Sequence, residues 1–444
     1  MESPSNFPHQ INEQLQIRFA VPEDAEALGM FNQRIHEEDS ENDIRLFAWT
    51  KDLLTGKYPK FNPQKHCTIV EEIKTKKIVS SMLVIPQTWS YAGIPFRVDR
   101  PELVGTLPEY RNKGLIRKQF EIFHQLGEQN GTQLLSITGI PYYYRIFGYE
   151  MAVNLGGSRK GMAPQQIPSL KNDQKETFFF VPATNEDAGL IKHLTQAANQ
   201  RSLISCVRDN NDWIYEISGK HDQNINRTIF YVIKNEKNQS VGFIGTYINL
   251  SGSTFFANLF ELNDLASWED VSPAVLRFLW KTGQTKPAYP PQKCDSVGFA
   301  LGAEHPAYTA VKTNLPIVQP PYAWYIRVPH IAEFLKHIKN ILNNNLENSP
   351  FFNINRELTI SFYRYSLKFE IKQGKIVNIE ELELPVWEKA DAAFPPLVFL
   401  QLIFGYRNCT ELKYAFPDCW FKSGCSEILD ILFPKKASDI YGLC

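Results

Sequence analysis

LVGTLPEYRNKGLIRKQ, residues 103–119, carries the chain from an apolar strand into a helix through a basic turn. Leu103 and Val104 read as the end of a strand, Pro108 and Glu109 as a loop, and Gly114 as the start of the next element. Beyond it Leu115, Ile116, Phe120, Phe123 and Leu126 recur at helical spacing. A turn that feeds a helix leaves backbone N–H groups unpaired at the positive end of the helix dipole. Arg111, Lys113 and Arg117 add cationic side chains around those donors, so the stretch reads as an anion site. An exposed basic turn before an ordinary surface helix has the same composition, and one Arg-x-x-Gly is a weak motif. The rest of the chain decides between the two.

Outward from this turn, one arrangement of elements occurs twice. IRFAVPEDAEALGMFNQ (17–33) reads as a strand and a helix, with Asp24 as a cap near the helix start. FFVPATNEDAGLIKHLTQ (179–196) repeats it, and Asp187 follows Asp24 by 163 residues. TIVEEIKTKKIVSSMLVI (68–85) and IFYVIKNEKNQSVGFIGTYI (229–248) each read as two strands around a polar turn, and Val241 follows Val79 by 162 residues. Two offsets that agree to one residue indicate a tandem duplication. The copies differ in chemistry. In LNDLASWEDVSPAVLRFLW (262–280), Asp264, Glu269 and Asp270 stand where the first copy is basic, and the glycine is gone. A diphosphate is therefore expected in the first copy only.

After the Pro-rich PIVQPPY (316–322), the spacing in IAEFLKHIKNIL (331–342) predicts a connecting helix. ELTISFYRYSLKFEIKQGKIVNIEELEL (357–384) predicts strands around the turn Gln373-Gly374. PPLVFLQLIFGY (395–406) reads as a helix stopped by Gly405, Asn408 and Glu411 form a capping box, and SEILDILF (426–433) is a short helix ended by Pro434. This is a third, α+β domain of about a hundred residues. The expected division is a disordered lead at 1–13, a first copy at 14–160, a second at 161–328 and a C-terminal domain at 329–444.

With 444 residues the chain has room for about two to four domains of roughly 150 residues. Lys plus Arg number 47 against 48 Asp plus Glu, which gives no support to nucleic-acid or polybasic membrane binding. MESPSNFPHQINEQ is polar and lacks the apolar run of a signal peptide, and LVFLQLIF (397–404) is too short to span a bilayer. The seven cysteines are odd in number and contain no Cys-x-x-Cys, which suits reduced thiols in a cytoplasm. The nine histidines have no ligand spacing, so no metal site is expected.

LLSITGIPYYYRIFGYE (134–150) is a buried strand followed by an aromatic turn ending in Phe147-Gly148-Tyr149. With IRFAVPEDAEAL before it and TLPEYRNKGLIR between, this resembles the GNAT superfamily of acyl-CoA N-acyltransferases, whose aromatic turn is Tyr-x-x-Phe-Gly-Tyr. One intact copy, one degenerate copy and a C-terminal domain similar to the sterol carrier protein fold resemble the Eis (enhanced intracellular survival) type of acetyltransferase, over nearly the full chain. The resemblance implies an α+β fold of two tandem GNAT domains and a sterol carrier protein-like domain. It further implies a cytoplasmic homo-oligomer, typically a hexamer, that transfers acetyl from acetyl-CoA as co-substrate to a primary amine, aminoglycoside-like or of a lysine side chain.

Carried over by position, the resemblance implies that Val104, Gly105 and Thr106 offer strand backbone to the pantetheine and the thioester carbonyl. Arg111, Asn112, Lys113, Gly114, Leu115, Ile116 and Arg117 would surround the diphosphate, and Thr138 and Gly139 would line the opposite wall. Tyr144 would act as general acid toward the departing thiolate. The α-carboxylate of Cys444 would take the amine's proton. Asn112 departs from the family's longer arginine run, which implies weaker affinity while the backbone donors remain.

The chemistry needs a deprotonated amine, a polarised carbonyl and a protonated or stabilised leaving thiolate, and bringing both substrates together lowers the barrier without a covalent intermediate. Tyr142 and Tyr143 also qualify as donors. Glu71, Glu72, Asp99 and Glu102 are further candidates for the base, although solvated carboxylates are the commoner explanation. His305 reads as structural, and Trp387, Phe394 and Phe399 as core of the third domain. The rival class is a scaffold that binds CoA or a lipid and transfers nothing; the intact turn at 111–117 and the aromatic turn weigh against it.

Overall fold

A computed structural model describes residues 7–36, 43–170, 173–383 and 389–441 of the chain. Among these residues, three sheets of nine, seven and five strands carry helices in a mixed α/β architecture. The first sheet opens with β1 (His9–Gln10) and β2 (Leu15–Phe19), followed by α1 (Ala25–His36), α2 (Arg45–Leu54) and the single turn α3 (Pro63–His66). β3 (Cys67–Glu72), β4 (Ile78–Tyr91) and β5 (Ile94–Thr106) then pair antiparallel. The helix α4 (Leu115–Gln129) crosses over to β6 (Leu134–Ile137), and β7 (Glu150–Leu155) follows.

β4 is covered on both faces, and its sequence is correspondingly buried almost throughout. α4 turns Leu115, Phe120 and Phe123 inward, each contributing about 1.5–3 kcal/mol by leaving water. Residues 7–13 are not the disordered lead expected from their polarity. Asn12 Oδ1 accepts hydrogen bonds from the Gln14 and Leu15 amides, each at 2.9 Å, and this side-chain turn folds β1 back onto β2. Phe7 then packs its ring 4.9 Å from that of Phe19.

The sheets exchange strands. Tyr322–Arg327 inserts between β6 and β7, pairing Tyr325 with Ile137 on one side and Trp324 with Val153 on the other. In return β8 (Ser158–Met162) lies in the second sheet, between strands Ser296–Phe299 and Ile317–Gln319. Ile204–Val207 also pairs with the far end of β4. The boundaries expected at 160 and 328 are therefore crossed by hydrogen-bonded ladders.

The second sheet repeats the strand–helix–hairpin–strand–helix–strand order of the first. At its helix Trp268–Gly283, the Ser267 hydroxyl accepts from the Asp270 amide, and Glu269 and Asp270 fill the first turn. The positive end of that helix is met by its own carboxylates. In the third sheet the turn at Gln373 (φ 49°) and Gly374 (φ 70°) joins two strands, as a hairpin with two left-handed residues requires. Asn408 and Glu411 exchange the two hydrogen bonds of a capping box, at 2.9 and 3.0 Å. Phe394 and Phe399 are buried in the core there, while Trp387 lies outside the described residues. This unit docks on the first sheet, where the Tyr91 hydroxyl donates to the Ile403 carbonyl at 2.8 Å.

Candidate active site

β5 and β6 pair in parallel only at Val98 with Leu134 and Asp99 with Leu135. Past these rungs the strands part, and residues 101–106 and 137–140 become the walls of a cleft of about 900 Å³. Leu103 sits in the left-handed region at φ 49°. Ser81 pairs with Gly105 and Leu83 with Glu102, so Leu103 and Val104 together face Met82 across the ladder. This is a β-bulge, which bends the strand where it leaves its neighbour.

The basic turn closes one end of the cleft. Asn112 (φ 61°) and Gly114 (φ 73°) both adopt left-handed backbone just before α4. Asn is among the few side chains that tolerate this conformation, and that accounts for its presence between Arg111 and Lys113. Arg111 Nε donates to the Thr106 carbonyl at 3.4 Å, Lys113 Nζ lies 4.6 Å from the Tyr110 ring centre, and the Arg117 guanidinium lies 5.4 Å from that of Phe147. Among the described residues, none of the three cations is paired with a carboxylate. They line the cleft beside the N-terminus of α4, the positive end of that helix.

The aromatic turn forms the opposite wall. Gly139 (φ 131°) follows β6, and a Cβ there would lie 3.2 Å from the Tyr144 hydroxyl. The Tyr144 ring is 4 % exposed, with centroids 5.4 Å from Tyr143, 5.5 Å from Tyr325 and 6.2 Å from Phe120. Its hydroxyl has no hydrogen-bond partner among the described residues. Burial first, and then the charge of Glu102, raise its pKa well above that of an ordinary phenol. Tyr143 is half-buried and also lines the cleft. Tyr142 turns outward, 73 % exposed, and its amide donates to the Tyr325 hydroxyl at 2.5 Å.

Val104, Gly105, Thr106, residues 111–117, Thr138, Gly139 and Tyr144 all line this one cleft. Glu102 lines it too, ion-paired with the buried Arg100, whose guanidinium also lies 4.9 Å from the Trp324 ring centre. Burial raises the Glu102 pKa and Arg100 opposes the rise. The other carboxylates are engaged elsewhere. Asp99 accepts from the Thr132 hydroxyl at 2.5 Å, Glu71 pairs with Arg18 at 2.9 Å, and Glu72 accepts from Tyr110 and Thr75. His305 caps a short helix in the second copy, accepting from the Ala307 amide at 3.2 Å.

Cys444 lies outside the described residues. The chain is held as far as Tyr441, whose hydroxyl donates to the Glu216 carboxylate at 3.1 Å and lies 2.9 Å from the Thr228 hydroxyl. Six cysteines are buried free thiols. The sequence reading missed the wall built by Ile35 and His36 at the end of α1 and by Leu46 and Trp49 of α2. Their signal was the apolar face of each helix, which marks a core as readily as a binding wall.

Residues 38–152 match a family model described as an acetyltransferase (GNAT) domain, the stretch that holds the bulged strand and both turns. No curated protein matches the chain. Solved structures share its fold over nearly the full length. A probable N-acyltransferase from Enterococcus faecalis is 15 % identical with a TM-score of 0.62, covering 96 % of this chain and 97 % of its own. A GCN5-related N-acetyltransferase from Anabaena variabilis is 14 % identical with a TM-score of 0.63, over 96 % and 99 %. Eis1 from Mycobacterium abscessus is 12 % identical with a TM-score of 0.58, over 96 % and 99 %.

Proposed function

We propose that this chain is an acetyl-CoA-dependent N-acetyltransferase acting by direct transfer on a primary amine, aminoglycoside-like or of a lysine side chain. One observation carries the reading: the basic turn, the bulged strand and the Tyr144 hydroxyl line a single cleft. The left-handed turn and its three cations suit a diphosphate at the start of α4. The strand backbone at 104–106, freed from pairing with β6, suits a pantetheine arm and can polarise a thioester carbonyl. The raised pKa of Tyr144 keeps its phenol protonated at neutral pH, the state a general acid needs. The family resemblance adds a cytoplasmic homo-oligomer and a sterol carrier protein-like C-terminal domain to the proposal. Thiol release from acetyl-CoA, measured with a panel of primary amines, tests it. Amine-dependent release is expected; tight CoA binding without release from any amine would favour the scaffold reading.

A further inference from the structure

Two glycines mark the diverging walls of the cleft, and each carries a polar side chain against its backbone. On the β6 wall it is Gly139, with the Tyr144 hydroxyl 3.2 Å from where a Cβ would stand. On the β5 wall it is Gly105, where a Cβ would meet Ile35 Cγ2 at 2.9 Å and His36 Nε2 at 3.3 Å. A Cβ at 105 would clash with Ile35 and crowd the imidazole, so the glycine is what lets both side chains rest against the strand. A phenol and an imidazole nitrogen therefore rest on opposite walls of the space between the two strands.

We propose that His36 takes the proton of the acceptor amine, across the cleft from Tyr144; this rests on the acetyl-transfer reading above. Among the described residues His36 has neither a hydrogen bond nor an ion pair, and it is exposed where it lines the cleft. The other titratable groups of the cleft are engaged or unsuited. Glu102 is paired with Arg100, Tyr110 donates to Glu72, Tyr143 is a phenol, and Arg111, Lys113 and Arg117 are cations. The elements packed around His36 carry Glu26 and Arg34 on its own helix, Lys51 and Asp52 on α2 with the mutually paired Asp43 and Arg45 at its start, and Arg97, Asp99, Arg100 and Glu102 on β5. Of these only Glu102 lines the cleft beside His36, together with the cations of the turn. Although the side chain keeps access to solvent, the protein around it disfavours the charged form and lowers the pKa of His36 below the ordinary histidine value. In the tautomer protonated at Nδ1, the Nε2 lone pair is the basic site beside Gly105.

The step balances without a further reactant. The amine nitrogen bonds to the thioester carbonyl carbon and its proton passes to His36 Nε2. The carbon–sulfur bond breaks, and Tyr144 gives its proton to the departing thiolate. The imidazolium then releases its proton to water and the phenolate regains one, leaving an amide and a thiol as the net products.

The experiment measures kcat/KM against pH for the full chain and for His36→Gln, together with acetyl-CoA affinity and the proton NMR titration of His36 in the unaltered chain. The unaltered chain is expected to lose activity on the acid side with a midpoint below the ordinary histidine value, coincident with the NMR titration of His36. His36→Gln is expected to bind acetyl-CoA normally, to lose roughly 10²–10⁴-fold in kcat and to lose the acid limb. An acid limb that persists in His36→Gln overturns the inference, as does one that fails to coincide with the His36 titration. So does a limb abolished instead by Glu102→Gln or by a Gly-Ser extension after Cys444. An unaltered chain that releases no thiol with any amine overturns the acetyl-transfer reading itself, and the two failures are thereby told apart.

Discussion

Tyr144 presents its hydroxyl to the cleft while Phe120, Tyr143 and Tyr325 enclose its ring. Three consecutive tyrosines are equivalent on paper, and the backbone is what separates them. The left-handed residue Tyr142 (φ 65°) turns the chain, leaving the first ring outside, the second half-buried and the third within. Replacing Tyr144 by Phe keeps that packing and removes the donor. The expected result is a fall in kcat of roughly 10²–10⁴ with acetyl-CoA affinity nearly unchanged, read from steady-state kinetics beside a binding titration. A comparable loss in Tyr143→Phe, with Tyr144→Phe active, would move the donor back one residue.

At the scale of the element, the turn from Arg111 to Gly114 and the helix it opens are the parts proposed to hold the diphosphate. A side chain at Gly114 would meet nothing within 4 Å, so the space is open, yet any such residue must adopt φ 73°. Gly114→Glu would add that backbone strain and a negative charge where a diphosphate is expected. Isothermal calorimetry should find one acetyl-CoA site per chain and none in the variant. Retained affinity, or two sites, would mean that the turn is not the binding element. The turn and its helix were legible because their parts are contiguous: three cations, a glycine and a helical repeat within one stretch. The bulge at Leu103 was not, because it depends on which residues of β4 lie opposite. Nor was the wall from α1 and α2, since His36 joins the cleft only once its helix has packed against Gly105. β1 was missed for a related reason: HQINEQ is polar, and its folding rests on one asparagine side chain.

Over the whole molecule, the repeated order of elements showed in matching offsets, but the exchange of strands between the sheets leaves no local pattern. Residues 158–162 and 322–327 look like ordinary strands, and only tertiary pairing decides which sheet each joins. A chain ending at residue 160 would hold every described cleft residue yet lack the strand between β6 and β7. Such a fragment is expected to show no cooperative melting transition by calorimetry and no acetyl-CoA affinity. A cooperative, CoA-binding fragment would make the inserted strand dispensable.

The insertion also sets a timetable for synthesis. Tyr325, which stands against the Tyr144 ring, follows it by 181 residues. At roughly 5–20 residues per second, a ribosome needs about ten to forty seconds to travel from one to the other. Through that interval the emerging polypeptide holds β6 and β7 without the strand that joins them, two open edges able to pair with a neighbouring nascent chain. The cleft lined by residues between 35 and 147 is thus made early and finished late: a newborn molecule can mature only after residue 327 has left the exit tunnel.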